Sequence, residues 1–101
     1  MKKDYEKNVQ VLKAIGEINR IKILELLSTG EKCACVILES FNFTQPTLSH
    51  HMKVLIDCNI VTLRKEGKWS YYKINKDVAD EMLCFLRDSI KEKNKDCTEE
   101  K

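Results

Sequence analysis

The stretch TQPTLSHHMKVLIDCNIVTLRKEGKWSYYKI, residues 44–74, decides the fold. Its first half reads as a helix. Thr44 is placed to cap it, and Pro46 falls in the first turn, where a missing N–H does no harm. Leu48, Met52, Leu55 and Ile56 then recur at helical spacing as a core stripe. After Asn59 the period changes. β-Branched and aromatic residues flank KEGK, which predicts a hairpin with Gly67 at its turn.

Upstream of this block, residues 5–15 carry Tyr5, Val9, Leu12 and Ile15 at helical spacing. A second helix is expected over about 19–28, with Ile21, Ile23, Leu24 and Leu26 in a broad apolar stripe, and Gly30 as its C-terminal cap. A short third helix spans about 33–41, its inner face formed by Ala34, Ile37, Leu38 and Phe41. Downstream, a last helix over about 77–93 places Val78, Met82, Phe85, Leu86 and Ile90 along one side. Four helices, a hairpin and a fifth helix make a mainly α fold with a β-hairpin wing, a winged helix-turn-helix. Residues 1–93 are expected to form this single domain and residues 94–101 a polar tail.

A chain of 101 residues, 43% of them hydrophobic, can build one small core. The net charge of +2 says little, but its distribution says more: between Thr44 and Lys73 five cations face two anions. That excess in the middle of the chain hints at a phosphate-facing surface. The first sixteen residues hold no apolar run resembling a signal peptide, and no segment approaches membrane-spanning length. The expectation is a cytoplasmic protein with no membrane partner. Five cysteines in a reducing compartment are not a disulfide framework; they are buried, reactive or metal-binding. No Ser/His/Asp or Cys/His constellation and no phosphate-binding glycine loop is present, so neither an enzyme nor a small organic substrate finds support.

On the helix of residues 44–58, the face opposite Leu48 and Met52 carries Ser49, His50 and Lys53, with Thr44, Gln45 and Thr47 near its start. Short hydrogen-bonding groups beside a cation suit the major groove of double-stranded DNA. Arg64, Lys65 and Lys68 surround the hairpin tip, where they can contact DNA backbone or minor groove. Trp69, Tyr71 and Tyr72 are read as packing the hairpin onto the domain, and His51 as a packed core histidine.

These residues carry a resemblance. Residues 44–74 closely resemble the recognition helix and wing of the ArsR/SmtB family of metal-responsive repressors, down to the paired histidines before Met-Lys-x-Leu. LKAIGEINRIKILELL is similar to the family's preceding helices, and EKCACVILESF to its metal-binding helix. The resemblance covers about residues 9–75. It implies a homodimer through the first and last helices, and operator binding that blocks transcription until an inducer arrives. Physics agrees with the dimer: two recognition helices about one turn of DNA apart read a two-fold operator.

The resemblance also narrows the inducer. Zinc and nickel sensors of the family carry Asp and His ligands on the last helix, where this chain has no histidine. The pair Cys33 and Cys35 instead matches the Cys-x-Cys of the arsenic, antimony, cadmium and lead sensors. As(III) or Sb(III), as arsenite or antimonite, is the expected inducer, with Cd(II) or Pb(II) as the alternative; soft thiolates select such ions. The family pattern that adds a third cysteine has Leu38 at that position here. Cys97 in the tail is the candidate third donor and Cys58 a second one, although Cys58 and Cys84 read first as buried structural thiols. Positions two apart on a helix point about 200° from each other. Cys33 and Cys35 are therefore expected to meet only by deforming the first turn of the third helix, and so to disturb the reader packed on it. Helix N–H groups and Lys32 are expected to favour the thiolate. A competing reading is a thiol redox or persulfide sensor on the same scaffold, using Cys35 with Cys84 or Cys97. Another is a constitutive DNA-binding module with idle cysteines.

Overall fold

The computed structural model describes residues 4–92. The expected tail and Cys97 lie outside them. Helices α1 (Tyr5–Ile15) and α2 (Ile18–Leu27) are followed by a two-residue strand β1 (Lys32–Cys33). Helices α3 (Ala34–Phe41) and α4 (Gln45–Asp57) come next, then strands β2 (Val61–Glu66) and β3 (Trp69–Ile74), and finally α5 (Lys76–Ile90). The winged helix-turn-helix expected from the sequence is present, with a third strand added to the wing.

Local chemistry sets most element ends. Asp4, Glu17, Thr44 and Asn75 cap α1, α2, α4 and α5, each side chain accepting a first-turn N–H. Ser28 occupies the C-cap of α2, and Gly30 turns the chain two residues later with φ at 135°. Asn42 closes α3 in the left-handed region, φ 58° and ψ 35°, its N–H donating to the Leu38 carbonyl at 2.9 Å. This residue makes the sharp turn between α3 and α4. Gly67, with φ at 61°, makes the tight turn between β2 and β3. The last helix ends at Ile90 rather than 93, and α2 begins at Ile18.

One core holds these elements. Val11, Ile23, Ile37, Met52, Leu55 and Val61 are its largest fully buried side chains, drawn from α1, α2, α3, α4 and β2. Truncating such a residue to alanine costs about 2–5 kcal/mol. From α5 only Met82 is buried, while Val78 and Ala79 pack against the core edge. Beside and beyond Met82 the helix is open: Leu83 is 56% exposed and Ile90, at the C-terminal end, 74%. On α1, Tyr5 and Val9 are also exposed, and the Tyr5 ring meets Phe85 edge-on at 5.6 Å. The first and last helices thus share an apolar outer surface.

Two expectations about packing need correction. Cys84 is exposed, because it lies two residues from the buried Met82 and so points to the other side of α5. Trp69 is 52% exposed and does not pack the hairpin down. Tyr72 does so, half-buried against the core.

Candidate nucleic-acid interface and thiol pair

Helix α4 presents its apolar side to the core through Leu48, His51, Met52 and Leu55. Gln45, Thr47, Ser49, His50 and Lys53 are exposed on the rest of it. Thr44 is committed to the cap: its hydroxyl accepts the Thr47 N–H at 3.3 Å and donates to the Thr47 hydroxyl at 2.9 Å. Lys53 reaches Asp57 one turn on, at 3.3 Å. The expected reading face is thus assembled on one element and is open to solvent.

Behind that face, His51 is buried as the sequence suggests. Arg20 Nη1 lies 3.2 Å from its Nδ1, and the Arg20 Nε–H donates to the Ala14 carbonyl. A guanidinium can only donate, so Nδ1 accepts and the ring proton is on Nε2. Burial holds the His51 pKa below its ordinary value; Glu17 pulls it up, while Arg20 and His50 add to the depression. Helix α2 and the α1–α2 turn are thereby tied to the buried side of α4.

Three of the wing's four cations are the ones expected to meet DNA. Lys65 and Lys68 are exposed at its tip. Arg64 is engaged: Nη2 and Nε meet the two carboxylate oxygens of Glu31 at 2.9 and 3.1 Å, and Nη1 meets Glu66 at 2.8 Å. Its guanidinium also stacks 4.5 Å above the Tyr71 ring. The two carboxylates hold Arg64 well above the usual arginine range, and its hydrogen bonds in turn lower the pKa of Glu31.

Cys33 is not in the helix. It lies in β1, opposite Tyr71 of β3 in an antiparallel ladder, and its extended backbone (φ −75°, ψ 150°) makes it the N-cap of α3. A cap's side chain folds back over the first turn. Accordingly, the Cys33 sulfur accepts the Cys35 backbone N–H at 3.3 Å. Interaction between the two thiols lowers the Cys33 pKa and raises that of Cys35. Cys33 thus folds over the first turn from outside the helix, and the 200° separation expected for two helical positions does not apply. Lys32 plays no part in this, since its Nζ is turned to Thr29 and Gly30.

Of the other thiols, Cys58 is buried at the end of α4 and donates to the Leu55 carbonyl at 3.4 Å, a structural placement. Cys84 lies on α5, 3.6 Å from Arg87 Nη2. Among the described residues, no group of three or more His, Cys, Asp or Glu side chains is disposed to hold a metal ion. Two neighbouring thiols, with the Cys33 pKa held below its ordinary value, suit a thiophilic ion as two of its ligands.

The feature that sequence reasoning missed is β1 with its Glu31–Arg64 ion pair. A two-residue strand carries no periodicity, and the ion pair joins positions 33 apart in the chain.

Comparison with known proteins places these features in a broader setting. Residues 18–62 match the family model described as bacterial regulatory protein, arsR family. An arsenical resistance operon repressor of Staphylococcus aureus is 47% identical over 79 residues, covering 78% of this chain and 76% of that protein. A cadmium resistance transcriptional regulatory protein homologue, also from Staphylococcus aureus, is 33% identical over 75 residues, covering 73% of this chain and 62% of that one. Among solved structures, the homodimeric winged helix-turn-helix DNA-binding domain of a Mycobacterium bovis regulator aligns with a TM-score of 0.71 at 28% identity. That alignment covers 84% of this chain and 80% of the other.

Proposed function

This chain belongs to the arsR family of bacterial regulatory proteins, and on that premise we propose that it is a homodimeric operator-binding repressor released by a thiophilic ion at Cys33 and Cys35. As a member of that family it is a transcriptional regulator with a DNA-binding helix-turn-helix, and not an enzyme.

In this reading the exposed side of α4 enters the major groove. Gln45, Thr47, Ser49 and His50 reach base edges, and Lys53 reaches phosphate. Lys65 and Lys68 bring the wing to the flanking backbone. Arg64 can join them only in competition with Glu31 and Glu66. The outer sides of α1 and α5, with Tyr5, Val9, Leu83 and Ile90, are covered by a second copy, which sets the two reading helices at the spacing of a two-fold operator. A cytoplasmic location accords with this role.

The observation that carries the inducer reading is the cap geometry of Cys33, which folds its sulfur back onto the Cys35 backbone N–H. Cys33 and Cys35 would hold arsenite or antimonite through two thiolates, with Cd(II) or Pb(II) as the alternative ions; such an ion would supply a thiophilic centre that ties the two side chains. Cys97, from the same or the partner subunit, is the proposed third donor. Cys58, buried and donating to Leu55, is the weaker candidate. Release requires only that the ion favour the off-DNA form, and a tenfold preference corresponds to about 1.4 kcal/mol per site.

The test is a titration of arsenite, antimonite, cadmium and lead into the reduced protein on a fluorescent operator duplex. Operator release is followed together with ultraviolet thiolate–ion absorption. Arsenite should release the duplex and occupy both thiols; a duplex that none of the four ions releases, although they bind, contradicts the proposal.

A further inference from the structure

The segment 31–33 is attached to the wing at two points. Through the ladder, Lys32 pairs with Tyr72 and Cys33 with Tyr71. Through Glu31, it grips Arg64 with two hydrogen bonds, and Arg64 itself sits opposite Tyr71 on the other side of β3. Tyr71 is thus flanked by Cys33 and Arg64, with the Arg64 guanidinium stacked on its ring. Exposed ion pairs add little to stability as a rule. This one is bidentate, extends to Glu66, and ties the sensing segment to a neighbouring element that approaches DNA.

We propose that the Glu31–Arg64 ion pair is a coupling device: it joins the Cys33–Cys35 pair to the wing, so that operator contact and thiol chemistry each change the other. The proposal rests on the operator-binding reading given above. Glu31 and Arg64 act here as positioning residues. Operator phosphates compete with Glu31 for Arg64. As Arg64 turns toward DNA, segment 31–33 loses one of its two attachments, and the cap geometry of Cys33 over Cys35 loosens. In the other direction, a bridge between the two sulfurs fixes segment 31–33, keeps Glu31 on Arg64 and withholds that cation from DNA. Coupling between two sites is reciprocal, so it can be read from either end.

Reading it from the thiol end needs no metal. The probe is an operator duplex selected with this protein from a random-sequence pool. The readout is the rate of iodoacetamide alkylation at Cys33 and Cys35, followed by peptide mass spectrometry with and without the duplex. In the wild-type protein, operator binding should change the Cys33 rate by at least about threefold; Glu31→Gln should still bind the duplex but lose most of that change. Arg64→Gln should lose it too, and the double variant no more than either single one, because the pair acts as a unit. Simple shielding of Cys33 by DNA would leave the change intact in Glu31→Gln, and that result overturns the coupling. Losses that add in the double variant overturn it as well. If instead the wild-type protein selects no duplex, it is the operator-binding reading that fails. Arsenite titration separates the remaining case: Glu31→Gln should bind arsenite with unchanged thiolate absorption but need more of it to release the duplex.

Discussion

Arg20 Nη1 lies 3.2 Å from Nδ1 of the buried His51, joining the start of α2 to the hidden side of α4. The contact needs a neutral imidazole. Burial lowers the His51 pKa in the folded state, so the unfolded chain binds the proton more readily. The stability this lends is present above the unfolded histidine value of about 6.5 and is lost as pH falls through the lower folded value. Thermal melts across this range should show the loss, and His51→Asn, which keeps an acceptor near Nδ1 but does not titrate, should flatten it. An unchanged pH profile in that variant would place the titration elsewhere.

Asn42 sets the angle between α3 and α4 from the left-handed region. Asn42→Ala should cost about 1–2 kcal/mol, while Asn42→Gly should be near neutral, since glycine adopts this conformation freely. Urea midpoints of the two variants decide it. Equal losses would mean that the Asn42 side chain, rather than its backbone, matters.

The unequal thiols make a kinetic prediction. Cys33 is the more acidic of the pair and Cys35 the less, so near neutral pH Cys33 should be alkylated first. Its advantage should shrink as pH rises past the ordinary thiol range. Peptide mapping after brief iodoacetamide treatment measures it, and preferential labelling of Cys35 would contradict the cap geometry.

Salt dependence tests the wing. If Lys65 and Lys68 each touch one phosphate per subunit, replacing either by alanine removes two contacts per dimer, and the slope of log affinity against log salt should fall by about 2. Gln45→Ala should lower affinity for the selected operator while leaving that slope alone. A slope unchanged by both lysine substitutions would remove the wing tip from the interface.

Where the sequence could be read and where it could not follows from the range of each interaction. The stretch 44–74 declares itself because Thr44 caps locally, Leu48 to Ile56 repeat locally, and Gly67 turns locally. His51 is legible for the same reason, lying on the stripe with Leu48, Met52 and Leu55. Cys33 is not. Only pairing with Tyr71, far along the chain, takes it out of the helix that its neighbours Ala34 to Phe41 form, and this reverses the relation of its sulfur to Cys35. Cys84 misleads differently: Leu83 and Phe85 beside it suggest burial, yet Met82, with Val78 and Ala79, fixes which side of α5 faces the core. The engagement of Arg64 by Glu31 has no local signal at all.

The central claim is that Cys33 and Cys35 together turn an operator-bound dimer into a released one. The most direct measurement is fluorescence anisotropy of the selected operator duplex with wild-type, Cys33→Ser and Cys35→Ser proteins, each titrated with arsenite under reducing conditions. All three should bind the duplex alike, and arsenite should release only the wild type. Normal release from either serine variant would contradict the claim.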